Sequence, residues 1–208
     1  MTAPAAATTA RRRTNADARR LRKDAFLEGA TRALVRAGLH QTTMDDIALA
    51  AGTSKVMLYR YFASKEDLIH CALERVEQRF VTNERQPYAG IGTGVREALG
   101  LAREDPDGFL LLFKLSTTDP EYERYLADYR ATIVDENIKR MSADPKMAHF
   151  DEPMLRMCAE TIATLVIDAI TRWIGTGDPA RDAEFVDWTL ATLKGLYKGW
   201  TKRSVAGA

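Results

Sequence analysis

The stretch from 42 to 65, TTMDDIALAAGTSKVMLYRYFASK, limits the fold of this chain more than any other feature. Thr43 stands where an N-cap is needed, and Asp45 and Asp46 fall in the first turn, where a helix dipole favours negative charge. That helix is short and stops at Ala51 and Gly52, where glycine supplies a left-handed backbone without steric cost. A further helix begins at Ser54 and runs to about 62. Ala48, four residues before Gly52, leaves only a methyl where the two helices cross. Ile47, Ala51 and Leu58 are spaced to close a small core against a preceding helix. The pattern is that of a helix-turn-helix, whose second helix presents its N-terminal end to a groove.

The rest of the chain also reads as helix. Leu21, Ala25, Phe26, Ala30, Ala33, Leu34 and Ala37 recur at steps of three or four and predict one amphipathic helix over 18–37, with Gly38 as its C-cap. Ser64 caps the next, to about 85, with Asp67 at the capping-box position. Further helices are expected at about 91–104, 107–116, 119–141, 152–175 and 181–202. There is no sustained period-two alternation and no Asn-Gly hairpin signal. The fold class is therefore all-α, about nine helices: an N-terminal three-helix helix-turn-helix domain joined to a C-terminal helical domain. The divisions are 1–17, a disordered basic arm; 18–64, the helix-turn-helix; and 65–208, the remaining helices.

Charge is unevenly placed. Residues 1–62 carry a net +6 and residues 63–208 a net −5, within a total of +1. A basic front on an acidic body points to a polyanion partner for the front, or to a solvated basic helix. Thr53, Ser54 and Lys55 gather at the start of the second short helix, with Tyr59, Arg60 and Tyr61 one turn on. Hydroxyls, a lysine and helix N-terminal N–H groups suit phosphate oxygens. Val56 and Met57 are of a type to meet thymine methyls, and Lys55 or Arg60 guanine edges. The competing reading is an ordinary helical hairpin with a polar face.

Other chemistry finds little support. Cys71 and Cys158 are two isolated thiols, and His40, His70 and His149 have no metal-ligand spacing, so no metal and no cofactor is expected. Gly90, Gly92 and Gly94 lie outside any strand-turn-helix context, and there is no Walker loop or nucleophile elbow. The expectation is a non-enzyme. The start has no signal-peptide pattern and no apolar run approaches the ~20 residues that span a bilayer, so no membrane association and a cytoplasmic location are expected.

The 42–65 segment resembles the signature of the TetR family of transcription regulators. The residues that carry the likeness are Thr42 with Thr43, Ile47 with Ala48, Ala51 with Gly52, Ser54 with Lys55, Leu58 with Tyr59, Phe62, and the run from Ser64 through Lys65, Glu66 and Asp67 to Leu68. The likeness covers about 20–70; beyond it only helix number and length agree. It implies that Thr43 and Met44 touch the DNA backbone, that Thr53, Ser54, Lys55, Val56, Tyr59 and Tyr61 face the groove or its phosphates beside Arg60, and that Lys65 holds a phosphate. Val56 stands where the family often has Gly, Ala or Pro, and Tyr61 where it often has His. Arg11, Arg12 and Arg13 are either a groove-tracking arm or a solubilising tail.

The resemblance further implies a homodimer on a palindromic duplex operator, a repressor role, and a small-molecule effector of apolar or aromatic character. Ile162, Val166, Ile170 and Trp173 form one apolar stripe, and Trp188 and Leu196 another. Ala191, Gly195 and Gly199 make a smooth face beside the second, and these nine residues are the expected dimer interface. The expected pocket liners are Phe109, Leu112, Phe113, Tyr122, Tyr125, Tyr129, Met141, Met154, Met157 and Thr161, with plain core as the competing reading for each. Alternatives that stay open are an activator, a regulator controlled by a protein partner, and a helical ligand carrier or enzyme without DNA function.

Overall fold

A computed structural model describes the backbone of residues 4–87 and 90–202, with side chains from residue 16 onward except at 91. Among these residues there are nine α-helices and no strand: α1 (Pro4–Ala37), α2 (Met44–Ala50), α3 (Lys55–Tyr59), α4 (Lys65–Glu84), α5 (Ile91–Glu104), α6 (Pro106–Leu110), α7 (Glu123–Ser142), α8 (Glu152–Thr176) and α9 (Asp182–Lys202). The chain divides into two compact units, residues 1–73 and 74–208, with the division inside α4. No helix among the described residues is long and apolar enough to cross a membrane.

Three elements differ from the periodicity. α1 starts at Pro4 rather than near 18, so its backbone is helical through most of the expected arm. That stretch is rich in alanine and arginine, both strong helix formers, and nothing in it stops a helix. The side chains of Arg11, Arg12 and Arg13 lie outside the described residues. α6 is short and continues as a π-helical turn, Leu111–Leu115, and a 3-10 turn, Ser116–Thr118. There the buried Ser116 hydroxyl donates to the Leu112 carbonyl at 2.6 Å. α7 opens at Glu123 instead of 119. Asp119 Oδ1 accepts the Glu121 N–H at 2.9 Å, a local turn that displaces the first helical turn.

In the first unit, α2 and α3 have seven and five residues and are too short to persist alone. Their ends are stitched one group at a time. Thr43 Oγ1 accepts from the Asp46 N–H at 3.2 Å, and the Asp46 carboxylate accepts from the Thr43 N–H at 2.9 Å, a complete capping box. The Thr43 hydroxyl, which donates to the same carboxylate at 2.7 Å, and then the Thr43 N–H hold the Asp46 carboxyl below the usual carboxylate range. Gly52 has φ +62°, the left-handed turn expected of it. Ser54 Oγ caps α3 by accepting from Met57 N–H, and Ser64 Oγ caps α4 by accepting from Asp67 N–H at 3.1 Å. Asp67 bonds back to the N–H of Ala63, one residue earlier than a capping box would have it. Ile47, Leu58, Phe62, Leu68 and Ile69 then close a core on Phe26, Leu27, Ala30 and Leu34 of α1.

A close backbone approach in this core falls at Gly29 on α1. A methyl there would stand 2.4 Å from Ala51 Cα and 2.6 Å from Ala51 Cβ, so backbone meets backbone. This contact is distinct from the α2–α3 crossing expected at Ala48, which is buried, and nothing in the chain pattern marks Gly29.

In the second unit, Phe80, Phe109, Phe113 and Tyr129 form one aromatic cluster, with Phe109 and Phe113 stacked at 4.3 Å. Asp182 at the start of α9 ties three helices: it accepts from Arg103 of α5 at 2.8 Å and from Trp173 Nε1 of α8 at 2.6 Å. Those bonds, Arg103's first, hold the Asp182 carboxyl below its ordinary range.

Replacing Gly29 with Ala is expected to cost about 1–3 kcal/mol through overpacking, despite the better helix propensity of alanine. Amide hydrogen exchange of the α2–α3 segment should then speed up roughly fivefold or more. Unchanged protection would mean that the two backbones are not in contact.

Candidate nucleic-acid interface and ligand cavity

The face of α3 that leaves the core is built by its two anchors. Leu58 is fully buried and Ser54 fixes the N-terminus, so Lys55, Val56, Tyr59 and Arg60 point outward. Val56 is 74% exposed and Tyr59 49%, unusual for apolar and aromatic side chains with nothing over them. Thr53 is half-buried, its N–H donating to Ala48 O at 2.9 Å. Lys55 Nζ pairs with Asp45 of α2 at 2.8 Å, and this hydrogen bond raises the lysine above its usual range. Both groups are in water, so the pair is weak and exchangeable.

Three residues expected on this interface have other work. The Met44 side chain is buried, which leaves only its backbone N–H at the start of α2 for an anion. The Tyr61 ring sits edge-on against Phe26 at 5.2 Å, with the Arg19 guanidinium 5.5 Å over its face. Lys65 Nζ donates to the carbonyls of Leu39, His40 and Thr42 at 3.1, 3.3 and 3.2 Å. An ammonium has three protons, and all three are turned to the α1–α2 connector. Lys65 therefore positions the α2 N-terminus; gripping a phosphate would require it to give up a carbonyl. Thr43 is exposed, but its hydroxyl is in the capping box.

One part of the surface escaped the sequence reading. Ala18, Arg19 and Arg22 of α1 form a concavity with Arg60 and Tyr61. Its three guanidiniums have no carboxylate partner among the described residues. Arg19 and Arg22 lie one turn apart on the face that meets the end of α3, a signal present in the pattern of α1.

The second unit holds a cavity of about 90 Å³ among α4 to α9. Of the expected liners, Phe109, Phe113 and Tyr129 are there, joined by Phe80, Val95, Ile133 and Leu193 and by the polar Glu84, Asn137 and Arg140. Leu112, Tyr122, Tyr125 and Met141 are buried but do not line it. Tyr122 precedes α7, and Tyr125 carries Arg124 on its ring at 4.8 Å. Met154 and Met157 are 46% and 59% exposed on the outer face of α8, where Thr161 merely bonds back to the Met157 carbonyl. Helical phase separates these residues: the stripe of α8 that reaches the cavity is Ile162, Ala163, Val166, Ile167 and Ile170.

Of the residues expected at a dimer face, Ile162 and Val166 are half-buried and Ile170 is buried, all three lining this cavity, and Trp173 stacks on Phe185 at 4.9 Å. Trp188 (60% exposed), Ala191, Gly195 and Gly199 are exposed, and Leu196 is half-buried.

Together these features define an all-α protein with an N-terminal helix-turn-helix and a cavity-bearing helical unit. Comparison with known proteins agrees. Residues 26–71 match the family model described as "Bacterial regulatory proteins, tetR family". The HTH-type transcriptional activator FasR of Mycolicibacterium smegmatis is 34% identical over 119 residues, 53% of this chain and 54% of that protein, so the match spans about half of each. A TetR-like transcriptional regulator from Rhodococcus sp. RHA1 has the same fold, with a TM-score of 0.68 at 22% identity over 90% of this chain and 97% of that one. The transcriptional regulator FadR from Bacillus subtilis, solved in complex with stearoyl-CoA, superposes with a TM-score of 0.63 at 15% identity, over 83% and 96%. Residues 26–71 thus carry the sequence pattern of the TetR family of bacterial regulatory proteins, and the chain has the fold of these solved regulators.

Substituting Lys65 with Met should loosen the first unit itself. Hydrogen exchange at the α1–α2 connector and the start of α2 should accelerate by roughly tenfold, as expected when three connector carbonyls lose one charged donor. Native protection in this variant would return Lys65 to the surface role that the family resemblance implies.

Proposed function

We propose that this chain is a transcription regulator that binds a palindromic DNA operator as a homodimer and is released by a small effector held in the second unit. The observation that carries the reading is the outward face of α3, where exposed Val56, Tyr59 and Arg60 ride on a helix too short to exist for any purpose of its own. Val56 and Tyr59 suit base edges and sugar, and Ser54, Lys55 and Thr53 suit the flanking phosphates, while Thr43 fixes the start of α2 beside them through its capping box. Arg19 and Arg22 extend the phosphate contacts beyond the groove. The protein acts in the cytoplasm, where its operator is.

A second copy fits the exposed α9 face, because two half-sites one turn apart call for two-fold symmetry. The effector is apolar or aromatic. Its support is the hydrocarbon and aromatic wall of the cavity, and FadR, a fold relative, holds stearoyl-CoA. α4 belongs to both units, so a ligand that prefers one conformer of the second unit can shift the placement of the reading heads. Repression is the first reading of the regulatory sign. Activation is a second, favoured by the match to FasR, which is named an activator. A reporter driven by the selected operator, with and without the protein, decides between them.

Selection from random duplexes at moderate salt should enrich an inverted repeat; enrichment of no sequence would remove the DNA reading. On the selected duplex, the double variant Arg19→Gln with Arg22→Gln should reduce the slope of log affinity against log salt by about 2. An unchanged slope would leave these arginines outside the contact.

Gly195→Arg tests the dimer face cleanly. No atom lies within 4 Å of where its Cβ would be, so the protomer tolerates the side chain. Sedimentation should find monomers with native helix content. A persistent dimer would place the interface elsewhere.

A further inference from the structure

We infer that the part of a ligand taken into the second-unit cavity is uncharged: an apolar body bearing one neutral oxygen, such as a ketone, ester or thioester carbonyl, that accepts the proton of the Tyr129 hydroxyl. The inference rests on the proposal that this cavity is the effector site.

The polar part of the wall is a single stripe. Tyr129, Asn137 and Arg140 share one face of α7 with Ile133, and Glu84 of α4 stands beside them. Most of these groups already answer one another. Arg140 donates to Glu84 Oε2 at 3.4 Å, to the Glu84 carbonyl at 2.9 Å and to Asn137 Oδ1 at 3.5 Å. The hydroxyl of Tyr197, the other tyrosine of the wall, bonds Asp144. Tyr129 is different: it is 2% exposed, lines the cavity, and has no hydrogen-bond partner among the described residues. The hydroxyl opens on the cavity, so an acceptor on a ligand held there can take its proton. Burial, with the nearby Glu84 charge, pushes the phenol well above its ordinary range, so it is a donor at any physiological pH.

The same wall disfavours charge. Glu84 neutralises the Arg140 guanidinium, and burial raises the Glu84 carboxyl in spite of that pairing. An incoming carboxylate would meet a like charge in a place already poor in water, with no uncompensated cation among the lining residues. The remaining wall is hydrocarbon and aromatic. At about 90 Å³ the resting cavity suits a compact ring before it suits a long chain.

The test uses the full chain with labelled isoleucine methyls, because Ile133, Ile162, Ile167 and Ile170 line the cavity and report binding at the site. Cyclohexanone, cyclohexane and cyclohexanecarboxylate are titrated at pH 7.5 by NMR. The ketone and the hydrocarbon should both move these methyls, and the carboxylate should bind at least about tenfold more weakly than the ketone. Tyr129→Phe should cut ketone affinity by about five- to tenfold and leave cyclohexane within about twofold, the double-difference expected of one hydrogen bond. A carboxylate as tight as the ketone, an equal loss of both neutral probes in the variant, or no methyl shift with any probe would overturn the inference. The ketone–carboxylate comparison on the unsubstituted chain stands even if the variant fails to fold. None of these readouts involves DNA, so failure of the operator reading would be seen separately, in the duplex selection.

Discussion

Where α1 passes the turn between α2 and α3, the backbones are so close that not even a methyl fits at Gly29. Everything presented by α3 inherits its placement from that contact. A five-residue helix has no stable existence of its own, so its axis is set by what it is clamped to. The clamps are the Gly29–Ala51 approach, the left-handed turn at Gly52, the buried Leu58 and the Ser54 cap. Arg32 adds one more by donating to the Ala50 carbonyl at the end of α2. The packing that orients Val56 and Tyr59 also brings Arg19 and Arg22 beside Arg60, since α1 supplies both the floor of the core and the basic flank. Lys65 fits the same scheme: its charge is spent on three carbonyls that would otherwise crowd a tight connector.

The second unit is organised by a different economy of polar groups. Its cavity is apolar except for one stripe of α7 and Glu84, and there the charges cancel locally. A buried ion pair of this kind adds little stability, because the desolvation of both partners offsets their attraction. It leaves the charges of the wall balanced against each other. Glu84 lies on α4, the helix within which the two units divide.

The sequence carried the helices, the caps and the turn, because those depend on local chemistry. Thr43, Gly38, Gly52 and Ser64 act within a few residues of themselves, and a single chain displays such signals. Non-local matters were poorly legible. Gly29 looks like any glycine in an alanine-rich helix, since what makes it necessary is Ala51, far along the chain. The resemblance implies DNA contacts for Met44 and Lys65, yet burial and three carbonyls engage their side chains. In the pocket, residue type was a fair guide and helical phase was not. Tyr129 was reachable from its chemistry, but Tyr122, Tyr125, Met154 and Met157 have similar chemistry and the wrong azimuth. Arg140 and Glu84 were missed because nothing in a sequence reveals that two distant charges cancel inside a cavity wall.

The two sides of α8 and α9 complete the division of labour. On α8, Ile162, Val166 and Ile170 turn inward, and the apolar residues left outside are Met154 and Met157. On α9, Phe185, Val186, Leu190 and Leu193 turn inward, while Trp188, Ala191, Gly195 and Gly199 are left out. Each interior helical glycine costs about 1 kcal/mol relative to alanine. Within one protomer nothing explains that cost, for open space surrounds both Cβ positions and no positive φ occurs there. A glycine in an unstrained, uncrowded helix leaves room for another backbone to come close. Beside it stands an indole that a lone protomer leaves in water. The small residues and the large one are complementary: a helix crossing at Gly195 and Gly199 would bring a flat neighbour over Trp188, and the smoothness of one stretch is what allows the other to be covered.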